Sequence, residues 1–315
     1  AEKVTGKNLS LPILNSIILE AMNRTLIIRA TNLELGIEIG LPCRVAQEGL
    51  VAVSGGVLFN FLSSLTDTSV SLENTAGNLM VSSTQHNAII KGYPLVDFPT
   101  LPRVVDNRQS FNISSQSLAV ALREVWYGAS LSLIKPEISS VCLYGHGGEL
   151  AAVATDSFRL AEKIFPPTLK IGSSFSQLII PIKNISEIIR VLETTSGEMV
   201  VEYNQHQISF QAEERYLTSR LVDGVYPDYR QIIPTTQLTE VIVPRAGFLE
   251  TLKLLNVFVD RLGQITIAVS PTDKKLKFTA SGDRGEDTAM MAATIEGDPV
   301  TLTVNVKYLL DCFQS

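Results

Sequence analysis

The sequence predicts an α+β fold made of three similar domains in tandem, and three observations predict it. β-branched segments recur in pairs bounded by turn residues, which is the signature of strands. Short stretches with apolar residues at helical spacing recur between them. Three of the β-rich passages also end alike, at Ala30-Thr31-Asn32-Leu33-Glu34-Leu35, Ala154-Thr155-Asp156-Ser157-Phe158-Arg159-Leu160 and Ala280-Ser281-Gly282-Asp283-Arg284. These ends stand about 125 residues apart, a period too long for a solenoid repeat and the size of a small domain.

The strand pairs come first in each repeat. Ser16 to Glu20 and Thr25 to Ala30 flank a turn at Ala21-Met22-Asn23-Arg24. Ser140 to Tyr144 and Glu149 to Thr155 flank Gly145-His146-Gly147-Gly148. Gln264 to Ser270 and Lys275 to Ala280 flank Pro271-Thr272-Asp273-Lys274. A short helix followed by strands is the second kind of module. Leu58, Phe61, Leu62 and Leu65 fall at i, i+3, i+4 and i+7, as do Ile185, Ile188, Ile189 and Leu192, and Val306, Leu309, Leu310 and Phe313. Leu118, Ala121, Leu122 and Val125 repeat the spacing, and Phe248, Thr251, Leu252 and Leu255 repeat it with one polar lapse. Such spacing puts the apolar groups on one stripe, so each helix seats one face on a sheet and turns the other to solvent or a ligand.

Helix-strand modules close alike, at Tyr93-Pro94-Leu95-Val96-Asp97-Phe98-Pro99 and at Leu221-Val222-Asp223-Gly224-Val225-Tyr226-Pro227-Asp228-Tyr229, and proline-bearing linkers follow. The expected domains are 1–103, 104–234 and 235–315. The first repeat has no room for a leading helix and the third stops within its second helix, so the reading expects a longer protein with both ends missing.

Composition narrows the function. The chain has 315 residues, is 45% hydrophobic and carries a net charge of −6, which fits packed cores and not a disordered chain. A negative sum argues against nucleic acid only weakly, because it hides local stripes of positive charge. Cys43, Cys142 and Cys312 are widely spaced and form no CxxC pair, so a reducing, cytoplasmic setting is expected, without a zinc site. No signal peptide or long apolar run suggests a membrane. Nucleophile-elbow, dinucleotide, Walker, zincin and EF-hand motifs are all missing, so neither an enzyme nor a cofactor is expected. His86, His146 and His206 lie in polar, turn-like stretches, and Asp156 with Arg159 reads as a structural ion pair or turn.

One group of charges breaks a rule. Lys183, Arg245 and Lys307 each fall in the first turn of an expected helix, where the helix dipole disfavours cations. Three such placements point to an anion near those helix starts, and helix N-termini and basic side chains both attract phosphate. Arg123, Arg190 and Lys253 lie off the apolar stripes of their helices.

Leu11-Pro12-Ile13-Leu14, Ala30-Thr31-Asn32-Leu33-Glu34, Lys135-Pro136-Glu137-Ile138-Ser139, Ala154 to Ala161 and Leu221 to Arg230 together resemble, in order, the landmarks of the bacterial sliding clamp family, the beta subunit of the replicative DNA polymerase. The resemblance runs the length of the chain. It implies three DNA-clamp (processivity-fold) domains per chain, with two chains closing head to tail into a ring around duplex DNA, helices on the inner face and antiparallel sheets on the outer face. Contact with DNA would be sequence-independent. The alternative is a clamp-fold interaction scaffold that does not encircle DNA.

The resemblance also implies three groups of site residues. Replicative polymerase, clamp loader and repair proteins would insert short peptides between the second and third domains, at Ile138, Thr155, Ser157, Phe158, Arg159, Leu160, Pro227, Gln231 and Ile232. The sequence departs from the family at Ser157-Phe158, commonly Gly-His, and at Gln231, where some members have Arg. Ring closure would set Ala88 and Ile90 of one chain against Val257 and Phe258 of the next, with Glu286 and Asp287 facing basic groups such as Lys91. Lys7, Asn8, Lys135 and Lys183 match DNA-contact positions, and Arg245 and Lys307 join them on the dipole argument.

Overall fold

Two-residue turns set the register of the first sheet. Asn23 and Arg24 both take positive φ, 48° and 62°, which is the twist a tight antiparallel hairpin requires. They join β1 (Ser16–Met22) to β2 (Thr25–Thr31), with Met22 opposite Thr25. β3 (Leu35–Pro42) then pairs with β2. The computed structural model describes residues 1–6, 12–146, 149–166, 169, 175 and 177–313.

From there one grammar repeats: a lead strand, a helix and three antiparallel strands. The first instance is β4 (Gly49–Ser54), α1 (Gly55–Ser64), β5 (Ser71–Thr75), β6 (Asn78–Ser82) and β7 (Asn87–Ile90), with the short β8 (Gly92–Tyr93) after it. The second is β9 (Gln109–Ser114), α2 (Ser115–Val125), β10 (Ser140–His146), β11 (Glu149–Thr155) and β12 (Leu160–Ile164). The third is β13 (Gln177–Pro181), α3 (Ile182–Glu193), β14 (Glu198–Tyr203), β15 (Gln207–Ala212) and β16 (Arg215–Arg220). The fourth is β17 (Thr239–Ile242), α4 (Arg245–Leu255), β18 (Gln264–Ser270), β19 (Lys275–Gly282) and β20 (Gly285–Ala292). β21 (Thr294–Gly297), β22 (Val300–Asn305) and α5 (Val306–Cys312) follow.

Lead strands do not stay with their own modules. β9 pairs with β14, and β13 pairs with β10, so the second and third modules exchange their first strands. β4 likewise pairs with β1, and β22 with β18. β3 also pairs with β16, which joins the first two repeats into one sheet ordered β8-β4-β1-β2-β3-β16-β15-β14-β9. The chain accordingly forms two compact units, Ala1–Tyr226 and Pro227–Ser315. The first two repeats thus share the first unit, and the linker at Arg103 lies within it. The linker there is held to the sheet by Arg103, which stacks on the Tyr216 ring at 3.8 Å and reaches Glu38 at 2.6 Å. Glu38 also takes Arg29 at 2.6 Å. Burial works to raise the Glu38 pKa, but the two guanidiniums outweigh it and hold the carboxyl below its ordinary value.

The apolar stripes land as their spacing requires. Leu118, Ala121, Leu122 and Val125 of α2, and Ile185, Ile188, Ile189 and Leu192 of α3, are buried in the first unit's core. Burying each such aliphatic side chain stabilises the fold by about 1.5–3 kcal/mol. Leu252, Leu255, Val306 and Leu310 belong to a separate core in the second unit, with Phe248, Leu309 and Phe313 packed against it. Leu65 and Phe313 are not helical: each is the C-cap residue, after α1 and after α5. β10 runs through Gly145 to His146, so two residues of the expected turn belong to the strand; Gly147 and Gly148 lie outside the described residues. No helix among the described residues is long and apolar enough to cross a membrane.

Candidate functional site

The turn that follows β11 is built by its own first two side chains. Thr155 Oγ1 donates to the Arg159 carbonyl at 2.7 Å and accepts from the Ser157 N–H at 3.2 Å. Asp156 Oδ1 accepts from the N–H groups of Phe158 and Arg159, both at 2.9 Å. Short polar side chains commonly satisfy the backbone of a tight turn in this way. Ser157 is forced to φ 77°, a left-handed conformation costing a non-glycine residue about 1–2 kcal/mol. The strain explains why glycine suits that position. The outcome is a presented side chain: Phe158 is 83% exposed.

Arg159 is held rather than presented. Its Nε lies 3.0 Å from Asp156 Oδ2, and its guanidinium sits 5.6 Å from the centre of the Tyr127 ring. The Asp156–Arg159 couple is thus the structural ion pair the sequence suggested. Tyr127 was not legible as a neighbour, because it arrives from the one-turn helix Trp126–Gly128 that ends α2. Leu160 opens β12 opposite Thr155. Ile138 lies just before β10, whose start is at the same end of the sheet as the end of β11, and its carbonyl accepts the Ser130 N–H at 2.9 Å. In the second unit, Pro227 accepts the Tyr229 N–H at 2.8 Å, and Gln231 Nε2 donates to Asp228 at 2.7 Å. Ile232 ends that short helical turn and is exposed.

The same turn occurs in the first repeat. Thr31 Oγ1 donates to Leu35 O at 2.9 Å and accepts from Leu33 N at 3.0 Å. Asn32 Oδ1 accepts from Glu34 N and Leu35 N at 3.0 and 2.7 Å, and Leu33 has φ 74°. This copy is met by its own unit: the Glu34 carbonyl takes the Arg220 N–H at 2.8 Å, and its carboxylate lies 3.6 Å from Lys183 Nζ. Asn184, 1% exposed, hydrogen-bonds Ser219 beside it at 2.9 Å. The third passage departs from the pattern. Gly282 has no side chain to accept backbone hydrogen bonds, and Gly282 opposite Gly285 makes Ala280 to Arg284 the end of a two-residue hairpin.

Lys135 and Lys183 flank a single residue. The Ser139 N–H donates to Lys135 O at 3.1 Å, and its carbonyl accepts the N–H of Ile182 at 3.1 Å. Lys183, Arg245 and Lys307 do occupy the first turns of α3, α4 and α5, where no acidic residue stands. Pro181 and Pro244, before α3 and α4, supply no capping side chain. Arg245 donates to the Phe313 carbonyl at 3.0 Å, whereas Lys307 is exposed. Arg123 and Arg190 pair with Glu193 and Glu187. Lys7 and Asn8 lie outside the described residues.

The positions expected at ring closure fall on sheet edges. Among the described residues, β7 pairs only with β6, and β20 only with β19. Val257 and Phe258 follow α4, and a side chain at Gly285 would meet the Phe258 ring at 3.7 Å, so Phe258 lies beside the start of β20, the strand that carries Glu286 and Asp287. On β7 the expected pair is half displaced. Ile90 is 6% exposed, within the core, while Ile89 on the opposite face of the strand is 68% exposed. Alternation along a strand makes that assignment, since adjacent residues face opposite sides.

No group of three or more His, Cys, Asp or Glu side chains among the described residues could hold a metal ion. Burial pushes the Cys142 thiol above its ordinary range, which leaves it unreactive.

Tandem modules with one-sided helices, the first two repeats joined edge to edge through β3 and β16, define a protein of the DNA-clamp, or processivity, fold. The chain belongs to the DNA polymerase III beta subunit family: models of its N-terminal, central and C-terminal domains match residues 1–102, 112–228 and 230–315. The family is one of non-catalytic processivity factors. Among curated relatives, the beta sliding clamp of Synechococcus elongatus is 27% identical over 309 residues, spanning 95% of this chain and 82% of that protein. A crystal structure of the DNA polymerase III subunit beta from Pseudomonas aeruginosa is 25% identical with a TM-score of 0.90, covering 99% of this chain and 85% of that one. A Pseudomonas aeruginosa sliding clamp bound to griselimycin has a TM-score of 0.92 at 24% identity, covering 99% and 85%.

Proposed function

We propose that this chain is one protomer of a ring that two copies close around duplex DNA, in the bacterial cytoplasm, and that the ring is a moving tether for the replicative polymerase. The repeated lead strand, helix and three strands carries this reading, because like modules with one-sided helices can curve around a single axis. Its three clamp domains are read as 1–103, 104–234 and 235–315. Lys135, Lys183, Arg245 and Lys307, with Lys7 and Asn8, are assigned to phosphate contact. Such contacts carry no sequence information and weaken as salt rises. Closure is assigned to the open edges of β7 and β20, with Ile89 against Val257 and Phe258, Ala88 beside it at the strand edge on the face of Ile90, and Lys91 near Glu286 and Asp287. The exposed Ile89 takes the place expected for Ile90.

A second surface takes short peptides from the polymerase, the clamp loader and repair proteins. Ile138, the Thr155–Leu160 turn with Phe158 as its anchor, and Pro227, Gln231 and Ile232 are the residues assigned to these peptides. No cofactor or membrane enters the mechanism.

Comparison of circular with linear DNA tests the ring. Protein loaded on a closed circle should remain through gel filtration at moderate salt, and cutting the circle should release it. Equal retention before and after cutting would sink the topological reading. Sedimentation should show a dimer at micromolar concentration.

A further inference from the structure

We propose that Glu34, Glu187 and Glu193 are built-in competitors for phosphate: they weaken the contact that Lys183, Arg190 and Arg123 of the α2 and α3 surface make with a polyanion, while Arg245, Lys253 and Lys307 of the second unit meet it without a competing carboxylate. The proposal rests on the reading that these helices face duplex DNA.

Three cations of this surface are each matched by one carboxylate. Lys183 Nζ lies 3.6 Å from Glu34 Oε2. Arg190 reaches Glu187 Oε2 at 2.5 Å through Nη2 and 2.8 Å through Nε. Arg123 of α2 pairs with Glu193 at the end of α3. Lys183, Glu187 and Arg190 stand at i, i+4 and i+7, on the side of α3 away from the buried Ile185, Ile188, Ile189 and Leu192. All six side chains are partly exposed, so the pairs are not sealed in the core, and exposed ion pairs add little to stability.

The second unit is different. Among the described residues, no carboxylate lies within ion-pair range of Arg245, Lys253 or Lys307. Arg245 meets only a carbonyl, that of Phe313 at 3.0 Å, and the Phe313 ring, 5.4 Å from its guanidinium.

The two kinds of cation answer DNA differently. A free lysine or arginine that neutralises a phosphate releases a counterion from the duplex, and binding gains in proportion. A paired cation must first give up its carboxylate, and that carboxylate then stands beside the phosphate and repels it. The paired cations therefore hold a duplex weakly, while the cations without a carboxylate partner supply more of the attraction. For a protein that must move along DNA, short-lived contact is the useful kind.

Equilibrium binding to a short duplex, measured over a range of salt concentrations, tests the idea without any loading step. Glu34→Gln, Glu187→Gln and Glu193→Gln should each tighten binding about two- to fivefold at low salt. Each should steepen the slope of log K against log salt by about 0.9, the value of one additional phosphate neutralised. Lys183→Gln added to Glu34→Gln should abolish that gain, and Lys253→Gln with Lys307→Gln should make the wild-type slope shallower. Glu149→Gln, on an exposed strand end, is the control for net charge alone. Three results would each overturn the proposal: an unchanged slope in all three glutamate variants, a gain that survives loss of Lys183, or an equal gain in the control. The circle-against-linear comparison reports separately on the ring, so failure of one reading is distinguishable from failure of the other.

Discussion

The turn from Thr31 to Leu35 and the turn from Thr155 to Arg159 close their strands with the same hydrogen bonds and the same left-handed third residue, at φ 74° and 77°. In the first, the fourth residue is Glu34, and its carbonyl and carboxylate are taken by Arg220 and Lys183. In the second, the fourth residue is Phe158, and its ring is open to solvent. One backbone device thus serves as an internal joint in one repeat and as a presenting platform in the next. The difference teaches that the repeat conserves geometry, while the side chains decide whether a surface is sealed within the chain or offered to another molecule.

Substitutions can break that contrast or sharpen it. Asp156→Ala removes the side-chain acceptor of two backbone N–H groups and the partner of Arg159, so it should cost about 2–3 kcal/mol of stability and abolish capture of a clamp-binding peptide. Asn32→Ala should destabilise less and leave capture intact. Denaturant midpoints and peptide titration measure both, and equal loss of capture in the two variants would erase the contrast. Phe158→Ala should weaken peptide binding by about 1–3 kcal/mol. Stability should stay within about 0.5 kcal/mol in that variant, because the ring is exposed; unchanged affinity would reject the anchor. Asn184→Leu leaves the Ser219 hydroxyl without its donor beside the sealed turn and should cost about 1–2 kcal/mol, with peptide affinity unmoved. Ser157→Gly relieves the positive φ and should raise stability by about 0.5 kcal/mol, after the greater freedom of glycine in the unfolded chain is subtracted. A lower melting temperature in that variant would mean that the serine side chain contributes more than the strain removes.

What was legible in the sequence was local. The stripes of α2 and α3 and the hairpins β1–β2 and β18–β19 follow from periods of 3.6 and 2, which need only neighbouring residues. The exchange of β9 and β13 and the pairing of β3 with β16 leave no such trace, because strand pairing over long separations has no period. The carboxylate partners of Lys183 and Arg123 come from distant segments for the same reason. Ile89 and Ile90 are both apolar, so composition could not set the phase of β7, and only the packed core reveals which one faces inward. Ala280-Ser281-Gly282 matched the other two passages in letters, yet Gly282 cannot make the side-chain hydrogen bonds that define their turn.

The exchanged lead strands carry a consequence for how the chain is made. Gln109 of β9 finds its place only opposite Tyr203 of β14, and Ser140 of β10 only opposite Pro181 of β13. A ribosome delivers residues in order, so the second module leaves the tunnel with one edge of its sheet unpaired and its first strand unplaced until the third module emerges. Pairings this distant are slow to form and expose strand edges meanwhile. The unit repeated in the gene is therefore smaller than the unit that folds, and a nascent chain halted between Ile164 and Gln177 should be readily digested by protease where one halted well after Arg220 resists.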